Sequence, residues 1–148
     1  MNKLMIGITL MALAVAIPVQ AQNAAPLTAQ QQELIQKNVL ANLKHSSIEV
    51  RANTIQLLID LNKQFPAYDF SYALLPMMET LKSDEKPEFR ILAALALYHL
   101  DSELGKFAVS RRAQFDASPR VARHCAALIR HWDNNEIGTD LLAEVNRF

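Results

Sequence analysis

Apolar side chains recur along this chain at helical spacing, and one pattern occurs three times. With Val50, Phe89 and Val121 set in register, apolar or small residues follow at 4, 7, 8 and 11 positions. They are Thr54, Leu57, Leu58 and Leu61 in the first stretch, and Ala93, Ala96, Leu97 and Leu100 in the second. In the third they are Cys125, Leu128, Ile129 and Trp132. At roughly 100° per residue each set gathers within about 100° of the helix circumference, a single buried face. Alternating β-branched runs are absent, and two of the three glycines, Gly7 and Gly138, lie outside the main body. The pattern predicts an all-α fold in which the copies, offset by 39 and 32 residues, stack as versions of one hairpin.

Helix starts follow from their caps. Thr28 with Gln31, and Ser46 with Glu49, fit capping boxes and open helices to about Lys44 and Lys63. Phe65-Pro66 breaks the chain, and a third helix is expected from Ser71 to Lys82. Pro87 at a first-turn position starts a helix to Leu100, because its missing N–H costs nothing there. Helices from Glu103 to Phe115, from Ser118-Pro119 to Trp132, and from Thr139 to Arg147 complete the series. Short connections make consecutive helices antiparallel neighbours, giving hairpins over about 28–64, 71–100 and 103–133.

The middle hairpin resembles a HEAT repeat. It has Pro76 in its first helix, Asp84 eight residues on, then an apolar residue and an arginine, Phe89 and Arg90. The first copy keeps Val50-Arg51 but has His45 where the aspartate would be; the third keeps Asp116 and Val121 but has Ala122 in place of the arginine. The resemblance spans Glu33 to Asp133. It implies a short right-handed α-solenoid in which the proline bends the first helix and Asp and Arg bond in the turns and between repeats. It also implies an incomplete Asp–Arg ladder, as in capping repeats, and a role in binding other proteins.

In the second helix of the middle hairpin, apolar character runs all the way round. Opposite the repeated face stand Ile91, Leu95 and Tyr98; the matching positions include Ile59 in the first copy, and Arg123 and Arg130 in the third. If that face lines the open, concave side, Ile59, Ile91, Leu95 and Tyr98 form an exposed apolar strip rimmed by Arg123 and Arg130. Such a strip suits a protein or peptide partner. The alternative is a strip covered by the chain's own leader or turned inward by tight curvature.

The start of the chain changes the setting. Lys3 precedes an apolar run of 16 residues, Leu4–Val19, and Val19-Gln20-Ala21 has small residues where a signal peptidase needs them. The run is short of the ~20 residues a spanning helix requires. Cleavage after Ala21 is expected, leaving a leader over 22–27 and a helical domain over 28–148, secreted or periplasmic and without a membrane association. Without residues 1–21 the chain carries 14 basic and 15 acidic side chains. That balance gives no electrostatic case for nucleic acid.

Candidate chemistry is sparse. Cys125 is the single cysteine, so stability must come from packing, and its place on the repeated face makes it a small core residue. Asp60, His99 and His131 share one register and would form a column across neighbouring helices; with Cys125 they offer an alternative reading as a small-ligand or metal-responsive site. His124 and His131 are two turns apart, too far to share an ion unaided. HExxH and GxSxG patterns are absent. The expectation is a non-catalytic interaction protein with no cofactor and no metal, its partner an unidentified protein or peptide.

Overall fold

The computed structural model describes residues 26–134, which are all-helical. The helices are α1 (Ala29–Asn42), α2 (Ile48–Gln64), α3 (Leu74–Ser83), α4 (Pro87–Leu100), α5 (Glu103–Phe115) and α6 (Pro119–Asp133). A 3-10 turn, Ser71–Ala73, leads into α3. The expected signal segment, most of the leader and the helix expected over 139–147 lie outside the described residues.

Side-chain caps explain most of the starts. Thr28 and Gln31 form the reciprocal box: the Gln31 N–H donates to Thr28 Oγ1 and the Thr28 N–H to Gln31 Oε1. Ser118 Oγ accepts from Val121 ahead of Pro119, and Ser102 Oγ accepts from Gly105. Two expectations shift. The cap of α2 is Ser47, whose Oγ accepts from Val50, and not Ser46. Pro76 falls in the first turn of α3, where backbone donors have few intrahelical acceptors, so the preceding 3-10 turn stands where a bend within a longer helix was expected.

One turn device recurs ahead of the helices. Asp84 Oδ1 accepts from the Lys86 N–H at 3.0 Å, and Asp116 Oδ1 from the Ser118 N–H at 2.8 Å. Asp69 Oδ1 accepts from Ser71 at 2.8 Å. His45 does the same work with a ring nitrogen: the Ser47 N–H donates to its Nδ1 at 3.0 Å. An acceptor two residues before the donor is what the turn requires, and an imidazole nitrogen supplies it as a carboxylate oxygen does.

Packing follows a regular plan. α1 lies on α2, α3 on α4, and α5 on α6; α4 also packs on α2 and α6, and α3 on α5. One core results, centred on α4. The loop before α3 is tied down by aromatic side chains: Phe70 is buried, Tyr68 meets its ring edge-on at 4.5 Å, and the Tyr68 hydroxyl donates to the Gln32 carbonyl of α1.

This plan overturns the expected concave strip. Ile59, Ile91, Leu95 and Tyr98 are core, exposed by only 1, 5, 2 and 6%. The reason is the number of neighbours. With α2, α3, α5 and α6 all packed against it, α4 keeps one narrow open strip, Glu88, Leu92 and His99, at helical offsets of 4 and 7. The register of Ile59 and Tyr98 faces the next helix in the row. Tyr98 accordingly meets the Trp132 ring of α6 edge-on at 5.0 Å. Arg123 and Arg130 hold that register on α6, where no further helix follows among the described residues, and both are exposed. On α2, with α4 on one flank only, Ile55, Leu58 and Ile59 are buried beside Thr54, while Leu57, expected in the core, is exposed.

Candidate functional site

The polar residues of the repeated pattern are brought together, and their geometry is structural. Arg90 Nε and Nη2 donate to the two carboxylate oxygens of Asp116 at 3.1 and 2.9 Å, and its Nη1 donates to the Asp84 carbonyl. Arg51 Nη1 reaches Asp84 Oδ2 at 3.1 Å, with its guanidinium over the Phe89 ring. Arg51 of α2 and Arg90 of α4 thus each bond the turn ahead of the next even-numbered helix. Burial alone would raise the Asp116 carboxyl. Bonds from Arg90 and the Ser118 N–H, with the charges of Arg90 and Arg112, outweigh that and hold it below the usual carboxylate range.

The Asp60, His99 and His131 register does not form a metal site. Among the described residues no three of His, Cys, Asp and Glu converge to hold an ion. His99 is half-buried with its ring edge-on to Tyr98; desolvation, then the charge of Lys63, push its imidazole down to about 4 against a weaker pull from Asp60. Cys125 is fully buried, and desolvation pushes its thiol up to about 12. A thiol so placed is inert as a nucleophile or ligand.

The feature that asks for an explanation lies on the other layer, between α3 and α5. Leu75 and Phe107 are 68 and 62% exposed, and Phe115, one helix end away, is 65% exposed. Between α3 and α5 runs a groove of about 690 Å³, with Met78, Leu81 and Ala108 adding apolar wall. Its rim is cationic: Lys82, Arg111 and Arg112 stand against one acid, Glu79. The Arg111 guanidinium stacks on the Phe115 ring at 5.1 Å, while Arg112 leans inward toward Asp116. An outer helix face should be polar when nothing covers it. This one combines aromatic and aliphatic side chains with arginine, the composition of interaction hot spots.

Periodicity could have found the groove. Leu104, Phe107, Arg111 and Phe115 lie on one stripe of α5, facing away from the repeated pattern. The signal is weak because it sits on the first helix of each pair, while the copies announce themselves in the second. No helix among the described residues is long and apolar enough to cross a membrane. No protein-family model, curated protein or solved structure matches this chain.

Proposed function

We propose that this chain is an exported, non-catalytic interaction module, a short right-handed HEAT-like array of three helical hairpins, and that its docking surface is the α3–α5 groove. Support for the array comes from the row α2, α4, α6, the second row through α3 and α5, and two Arg–Asp pairs linking successive units. Hairpins of this size cannot bury their apolar faces singly, so stacking is the physical way to a dry core. The partner is a protein or peptide segment with apolar side chains to fill the groove and carboxylates to meet Lys82 and Arg111.

One observation carries the functional reading: Leu75 and Phe107 are largely exposed on the walls of one groove, with Phe115 exposed one helix end away. The test is comparative capture from a periplasmic or secreted extract with purified wild-type and Phe107→Asp protein. Phe107 is exposed, so the variant keeps its helical circular dichroism and melting temperature. Loss of the captured species from Phe107→Asp alone supports the groove; an unchanged set overturns it.

A further inference from the structure

The walls of the groove constrain the form of what fills it. Both are α-helices, which keep their backbone N–H and C=O groups for themselves. An extended peptide laid there would find no backbone row to pair with, and would set polar groups of its own unpaired against Leu75, Met78 and Phe107. A helix brings its backbone hydrogen bonds with it. The relief of the walls also suits one: Phe107 and Arg111 on α5, and Leu75 and Glu79 on α3, are steps of four residues. Ridges with that step are what the ridges of another helix fill. Leu75 to Lys82 covers about 10 Å of α3 and Phe107 to Phe115 about 12 Å of α5, room for about two turns of a partner helix.

The charged side chains are unevenly committed. Glu79 accepts from the Ser83 hydroxyl at 3.0 Å, and Arg112 leans on Asp116 at 3.8 Å. Among the described residues no carboxylate pairs with Lys82 or Arg111. Lys82 stands in the last turn of α3 and Arg111 in the second half of α5, whereas Leu75 and Phe107 lie in the first halves. With α3 and α5 running the same way, as in the proposed array, one end of the groove is apolar and the other cationic. A second copy offering this same groove would set these cations against their own kind, so the complementary face belongs to another protein.

We propose that the α3–α5 groove receives an amphipathic α-helix of a partner protein. Its apolar stripe lies between Leu75 and Phe107, and its carboxylates stand at the end that meets Lys82 and Arg111. This rests on the groove being the docking surface.

Three synthetic peptides titrated against the full chain test it. The first is a blocked, labelled, alanine-based helix with a stripe of leucine and phenylalanine and two glutamates in its last turn. The second carries a central proline, and the third has lysine for both glutamates. The first should bind wild type at least about tenfold more tightly than either of the others. It should bind Phe107→Asp no better than the proline peptide binds wild type. In the Lys82→Glu, Arg111→Glu double variant, changed only at exposed positions, the preference should turn to the lysine peptide. Equal affinity for the first and second peptides overturns the helix, and equal affinity for the first and third overturns the acidic end. Sedimentation of the protein alone checks the second copy: a dimer that Phe107→Asp dissolves would give the groove to the chain itself and overturn the proposal. If no peptide binds while partner capture is still lost in Phe107→Asp, the groove stands and the helical partner falls; if capture survives Phe107→Asp, the groove itself is wrong.

Discussion

Arg90 and Asp116, 26 residues apart in sequence, meet through two parallel hydrogen bonds, with the aspartate side chain 1% and the arginine side chain 12% exposed. The equivalent pair one unit earlier, Arg51 and Asp84, makes a single bond and is more open to water. Removing one member of a buried pair strands the other, which costs far more than losing an exposed pair. Arg90→Ala should therefore cost about 3 kcal/mol of unfolding free energy, with Arg112 at 3.8 Å offsetting part of the loss. Arg51→Ala should cost about 1 kcal/mol. Urea midpoints of the two variants give the comparison, and equal losses would mean the second bond adds nothing.

Acid should destabilise the fold earlier than carboxylate titration explains. His99 is held neutral with its pKa pushed down to about 4, against 6.5 when unfolded. The unfolded chain thus takes up a proton that the folded chain refuses, so the stability is complete above about 6.5 and is lost as pH falls toward 4. Lys63 works in the same direction and Asp60 against it. The ring is only partly buried, so solvent screening keeps the effect near 1–2 kcal/mol. Denaturant midpoints at pH 7.5 and 4.5 should differ for wild type by more than for His99→Gln. Asp116, whose pKa is depressed, adds its loss only below the usual carboxylate range.

Asp101 is the one non-glycine residue with positive φ among the described residues, at 47° in the left-handed region, where it ends α4. Its carboxylate also accepts the Trp132 indole proton. Asp101→Ala loses that bond and pays for the backbone, an expected cost of about 2 kcal/mol. Asp101→Asn keeps both features and should be nearly neutral; Asp101→Gly relieves the backbone but not the indole and should fall between. Thermal melts of the three variants would rank them, and a stable Asp101→Ala would refute the account.

Cys125 should be silent in the folded protein. Its buried thiol, with a pKa pushed up to about 12, offers almost no thiolate at pH 8. Modification by a thiol reagent should follow unfolding and become fast in denaturant. Rapid labelling of native protein would show local opening of the α4–α6 packing.

Helix identity is largely readable in this chain because it depends on neighbours in sequence. Pro87 and Ser118-Pro119 mark their starts, and Asp84 and Asp116 mark the turns they occupy. Which face of a helix meets water depends on neighbours in space. The apolar residues Ile91, Leu95 and Tyr98 fit an open docking face as well as an inner contact, and only the helices packed around α4 decide. Leu57 fails for the mirror reason, since α2 has no helix on that flank to bury it. His45 could not be read from composition, because its work is done by one ring nitrogen toward one backbone N–H.

The exposed Arg123 and Arg130 of α6 occupy the register that is aliphatic or aromatic wherever a further helix lies beyond. Two positive charges there repel a second molecule arriving with its own α6 end, and their desolvation deters any neighbour from sealing that side. With aliphatic side chains at those two positions that flank of α6 would be a sticky surface for a second molecule, whereas exposed charge keeps it wetted and costly to seal.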